Sequence, residues 1–136
     1  MARHPEQAVN HDAETPVREL WELFEARDWE AAGRRLADDF VCDWPQTGER
    51  FRGRDNFLAM NRAHPAPNWH IVVRRLIASG TQAAAEVVVT TDESVDVCLG
   101  FYEVRDGQIS RGVEYWTEHA SQPTPSWRAE WTERMA

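Results

Sequence analysis

DFVCDWPQTGERFRGRDNF, residues 39–57, reads as a strand that breaks at Pro45, turns at a glycine and re-enters a helix. Asp43 and Trp44 stand side by side just before the break. A strand sends neighbouring side chains to opposite faces, so at most one of the two can look into a cavity that the sheet encloses. Which one it is decides whether this strand supplies an acid or an apolar wall.

Upstream, TPVRELWELFEARD opens with Thr15 as an expected N-cap and Pro16 at the first helical position. Val17, Leu20, Trp21 and Phe24 follow the i, i+3, i+4, i+7 spacing of an apolar helix stripe. DWEAAGRRLADDF repeats the form, with Asp28 capping and Trp29, Ala32 and Leu36 facing one way. GRDNFLAMNRAHP is a third short helix, stopped by Pro65. From residue 69 the period becomes alternating, and WHIVVRRLIASG, TQAAAEVVVTTD, SVDVCLGFYEVRDG and QISRGVEYWTEH read as four long strands. Asp106-Gly107, between two apolar runs, predicts the hairpin that joins the last two. Helices gathered at one end of an antiparallel sheet make an α+β domain, with a pocket where a helix crosses the concave face. The expected organisation is a loose tail over 1–14, one domain over 15–120 and a C-terminal extension over 121–136 that carries Trp127 and Trp131.

The formal net charge is −8 with a pI near 5.1, which disfavours nucleic acid and anionic membrane as partners. No apolar run approaches membrane-spanning length and the N-terminal residues lack a signal-peptide core, so a cytoplasmic location is expected. Cys42 and Cys98 fall in predicted strands and read as buried thiols. No ligand spacing for a metal is present. All fifteen basic residues are arginine, a bias expected of a GC-rich bacterial genome. Seven tryptophans are a heavy load for 136 residues. Because a buried indole N–H needs a partner, several of them are expected to line a cavity or an interface.

The order of elements, with LADDFVCDWPQTGERFRGRDNF and the late hairpin GFYEVRDGQISRGVEYWTEH, resembles the SnoaL-like branch of the nuclear transport factor 2 superfamily. The resemblance implies a strongly curved antiparallel sheet wrapped around N-terminal helices as a cone with an internal pocket. It also implies a homodimer through the convex sheet face, and chemistry without metal or cofactor. Members range from ketosteroid isomerases, polyketide cyclases, dehydratases and epoxide hydrolases to non-catalytic binding modules, so the fold alone names no reaction. Laid on the ketosteroid isomerase pattern without a gap, the sequence puts Trp44 at the base, Leu20 at the oxyanion-hole tyrosine and Gly100 at or near the oxyanion acid. All three functional groups are lost, which argues against isomerase chemistry of that type. The same alignment turns Trp44 inward and Asp43 away, although a bulge before Pro45 would swap the two.

The implied parity puts Gly112, Glu114 and Trp116, Gly100, Tyr102 and Val104, and Val87, Val89 and Thr91 on the concave face. Leu20, Phe24, Trp44, Val89, Tyr102 and Trp116 are then the expected ligand-contacting residues. Glu114 is the first candidate acid or base, since an apolar pocket raises a carboxyl pKa toward a useful range. Its competing reading is a rim carboxylate paired with Arg111 or another arginine. Asp43 and His70 are further catalytic candidates, each with a surface role as the alternative; His119 ends its strand in the same way. Arg50, Arg52 and Arg54 read as a solvated face. The expected function is a cofactor-independent cyclase, isomerase or dehydratase acting on a mid-sized apolar molecule. The alternative is a binding or dimeric accessory module of the same fold.

Overall fold

The apolar stripe of the first helix sets the inside of the molecule. In the computed structural model, which describes residues 12–66, 68–118 and 123–135, α1 spans Glu14–Glu25 and buries Val17, Leu20, Trp21 and Phe24. Its start differs from the sequence expectation. Ala13, not Thr15, is the N-cap residue, and the Asp12 carboxylate accepts from the Glu14 N–H and the Thr15 hydroxyl. A two-oxygen acceptor one step upstream takes over the role that Thr15 would have filled. In α2 (Trp29–Arg34) the Asp28 side chain accepts from the Ala31 N–H at 3.1 Å, as a cap should. Leu36 does not extend that helix; it opens β1 (Leu36–Trp44).

The chain continues through β2 (Glu49–Arg52), α3 (Arg54–Arg62), β3 (His70–Ser79), β4 (Gln82–Thr90), β5 (Val95–Arg105) and β6 (Gln108–Glu118). The six strands form one curved, unclosed sheet in the order β2-β1-β6-β5-β4-β3, antiparallel except for the β1–β6 pair. Register shifts within β1, β3 and at Glu103/Val104 mark the bulges that bend it. Asp106 and Gly107 both take positive φ, 53° and 78°, and close the β5–β6 hairpin where the dipeptide predicts it. β2 is an addition to the sequence reading. Gly48, at φ 74°, lets the chain fold back so that Asp43 pairs with Arg50 and Trp44 with Glu49.

The core lies between α1, α3 and the concave face. Phe40 and Phe57 pack at 5.0 Å between ring centroids, and Phe24 meets Phe57 at 6.2 Å. On the other face the side chains of Val72, Ile77, Leu99, Phe101 and Tyr115 stand exposed, with Ile77 at 72% and Phe101 at 54%. The C-terminal Ser126–Trp131 forms a 3-10 helix with Trp127 and Trp131 both exposed on this chain. No helix among the described residues is long and apolar enough to cross a membrane.

Candidate functional site

The site is built by the pairing of β5 with β6. Gly100 stands opposite Glu114 and Tyr102 opposite Gly112, and strand alternation turns all four toward the concave side. The two glycines create the space in which Tyr102 lies back along the sheet. A Cβ at Gly100 would sit 2.2 Å from the Tyr102 hydroxyl, and one at Gly112 would sit 3.2 Å from its ring. In that position the Tyr102 hydroxyl donates to Glu114 Oε2 at 2.7 Å. The other carboxyl oxygen, Oε1, accepts from the indole N–H groups of Trp44 at 3.1 Å and Trp116 at 3.4 Å. Glu114 is 1% exposed. It is neither a rim carboxylate nor a partner of Arg111, which bonds to Asp43 instead.

Burial pushes the Glu114 carboxyl above its ordinary value, and the hydrogen bonds from Tyr102, Trp44 and Trp116 only partly offset it. The same burial, with Glu114 nearby, drives the Tyr102 phenol and the Cys98 thiol well up. Cys42 is raised for the same two reasons. Both cysteines are free and buried, surroundings that disfavour the reactive thiolate.

Beyond Trp44 and Trp116 opens a cleft of about 350 Å³. Trp21, Trp44, Trp69 and Trp116 wall it, with Met60, Ile71 and Val89 between them. Asn61, His64, Asp96, Thr117 and Glu118 supply its polar groups. Trp44 and Trp116 lie 6.0 Å apart between centroids, and Glu114 sits behind them rather than in the lining. Such a cleft suits a flat, mostly apolar molecule with few polar anchors. No cluster of metal-ligating side chains is found among the described residues.

The residues singled out from sequence are distributed unevenly around this geometry. Trp44, Val89 and Trp116 line the cleft; Glu114 and Tyr102 lie one layer beneath it. Leu20 and Phe24, each 1% exposed, are packed in the core, and their helix presents Trp21 to the cleft instead. Asp43 points to the outer side. Arg50 holds its carboxyl below the usual range, with Arg111 beside it, at 2.7 and 2.8 Å. His70 is exposed against Glu25 at 3.3 Å, and the next residue, Ile71, faces the cleft. Thr91 lies past the end of β4 and bonds to Ser94. His119 lies outside the described residues. Asp96, His64, Asn61, Trp21 and Trp69 were not anticipated. For Asp96 the signal was present: it shares the alternation of Gly100 and Tyr102 on β5.

Two measurements probe this layer. Gly100→Ala should cost about 1–3 kcal/mol in a denaturant melt, because the methyl group must displace a hydrogen-bonded ring. For Glu114, a native pKa raised above 4.5 means the folded state keeps a proton that the unfolded chain releases first. Its contribution to stability is therefore full below pH 4.5 and is lost as pH rises through the native value. Gln does not titrate, although its amide NH2 replaces one of the two accepting oxygens, so the stability of Glu114→Gln relative to the parent should improve as pH is raised from 4.5 through the native value and then level off. A pH-independent difference would count against the buried, raised carboxyl.

The comparisons agree with this architecture. A candidate ketosteroid isomerase from Kribbella flavida DSM 17836 superposes with a TM-score of 0.83 at 34% identity, covering 91% of this chain and 90% of that one. An NTF-2 like protein of unknown function from Burkholderia xenovorans LB400 gives 0.72 at 27% identity, covering 91% and 98%. IdmH, a candidate polyketide cyclase from Streptomyces antibioticus, gives 0.69 at 20% identity over 78% and 92%, a likeness of fold alone. A search of curated proteins found no match. The SnoaL-like domain model matches residues 17–112, which contain β1–β5 and the start of β6 with Trp44 and Tyr102, and the chain belongs to the SnoaL-like domain family.

Proposed function

We propose that this SnoaL-like protein binds a mid-sized, ring-bearing apolar molecule in the tryptophan-walled cleft. The observation that carries the reading is the cleft itself: about 350 Å³ with four indoles in its wall, a build suited to ring stacking. The enzymatic form of the reading makes Glu114 the acid or base of a cofactor-independent cyclisation, isomerisation or dehydration. Its raised pKa and its bond to Tyr102 support that role. A substrate reaches the carboxyl only by displacing the Trp44 or Trp116 N–H from Oε1. That requirement favours the second reading, a binding module in which Glu114 only holds the wall in place. Two free, buried thiols fit a reducing, cytoplasmic setting.

Titration with the neutral fluorophore N-phenyl-naphthylamine tests the cleft. Ile71→Trp, on the half-buried cleft side of β3, should weaken binding about tenfold while the melting curve stays in place. Binding unaffected by that obstruction would place the ligand elsewhere. Once a carbonyl-bearing substrate is found, Glu114→Gln separates the two forms. Loss of turnover with retained binding assigns the acid or base, and full turnover leaves Glu114 a structural part.

The reading includes a homodimer through the convex face, supported by the exposed Ile77, Leu99, Phe101 and Tyr115. Phe101 and Tyr115 meet edge to face at 6.5 Å and form the centre of that patch. Phe101→Glu should halve the mass measured by light scattering, and an unchanged mass would remove this interface from the proposal.

A further inference from the structure

The charge arrangement of the cleft differs from that of the outer face of the sheet. On the outer face of the sheet three carboxylates are matched with arginines: Asp43 with Arg50 and Arg111, Glu86 with Arg74 and Arg75, Asp39 with Arg105. Among the described residues no arginine lines the cleft, and its ionisable side chains are Asp96, Glu118 and the exposed His64. Asp96 on β5 stands directly opposite Glu118 on β6, and both side chains face the cleft. Like charges in directly opposed positions destabilise a strand pair unless a counter-charge joins them. Among the described residues neither carboxylate is in an ion pair, and the one hydrogen bond Asp96 receives comes from the Ser94 hydroxyl at 3.3 Å.

The indoles beside this pair are suited to cations. An ammonium or guanidinium over an indole face is attracted by the ring quadrupole, most strongly for Trp. Trp69 already does this on one side, with the Arg27 guanidinium 3.3 Å from its ring centroid. Trp21, which borders the cleft, is 3% exposed, and its indole N–H is the one buried side-chain polar group without a partner among the described residues, a donor that an acceptor on the ligand, not its ammonium, would satisfy.

We infer that the cleft takes an organic cation: an apolar ring system among the tryptophans, with an ammonium group between Asp96 and Glu118. The inference rests on the cleft reading above and names the chemical class of its ligand. The rings match the four indoles, the ammonium supplies the charge the opposed carboxylates lack, and the net charge of −8 favours approach of a cation from solution. An anionic ligand would meet two carboxylates and no arginine at the same place.

Calorimetry with three probes of one ring tests it: naphthylmethylammonium, naphthylmethanol and naphthoate. The ammonium should bind about tenfold more tightly than the alcohol, the carboxylate most weakly, and added salt should weaken only the ammonium. Asp96→Asn with Glu118→Gln should bring the ammonium down to the affinity of the alcohol and leave the alcohol unchanged. Glu118 is exposed, so Glu118→Gln alone serves if the double variant does not fold, with a partial loss of the preference expected. Equal affinity for ammonium and alcohol, or a preference that survives the variants, overturns the cation inference and leaves the cleft reading standing. If none of the three probes binds, the cleft reading falls and the cation goes with it.

Discussion

The buried carboxyl of Glu114 is the constraint on which the inner face of this molecule depends. A carboxyl removed from water must be satisfied by donors or it is expelled. Here three donors converge on it from three strands: Tyr102 from β5, Trp116 from β6 itself and Trp44 from β1. The requirement runs both ways, because each indole that bonds to Glu114 is thereby fixed as a wall of the cleft. Removing a single partner would strand the others, whereas replacing the whole set with apolar groups need not cost stability. The arrangement therefore specifies the position of the aromatic rings more than it strengthens the sheet.

The two glycines follow from the same constraint. Tyr102 reaches Glu114 only by lying over Gly100 and against Gly112, and a Cβ at Gly100 would occupy the place of its hydroxyl. At the position where the isomerase comparison suggests a lost acid, the strand has kept polar chemistry in another form. A phenol folds back from two residues along the chain to meet a carboxyl supplied by the neighbouring strand. Loss of a residue in an alignment thus says little about loss of a hydrogen-bonding group in space.

The sequence carried the order of the helices and long strands because their apolar periods are strong, and Asp106-Gly107 marked its hairpin by backbone preference alone. The edge strand β2 escaped because three of its four residues are charged, leaving no alternation to see. The parity at Asp43 and Trp44 was readable only through the gap-free family alignment, and in the structure Asp43 meets Arg50 and Arg111 on one side while Trp44 meets Glu114 on the other. The choice of Leu20 and Phe24 over Trp21 as cleft residues came from the helix stripe. A stripe fixes which residues are buried, but the roll of the helix against the sheet decides which of them borders a cleft. The depth of Glu114 was equally hidden. It is set by two tryptophans far apart in sequence that close over it together.

The resulting cleft is polar in a graded way. At its inner end the one carboxyl is sealed, hydrogen-bonded by neutral donors and biased toward its protonated form. At its mouth Asp96 and Glu118 face each other, with no arginine between them among the described residues. The arginines that could neutralise them are committed to the outer surface, where Asp43 and Glu86 hold two each. Strand alternation enforces this separation, since a residue that serves one face is lost to the other. A ligand taken up as proposed would meet two opposed carboxylates at the mouth and a buried, hydrogen-bonded carboxyl beneath the indoles.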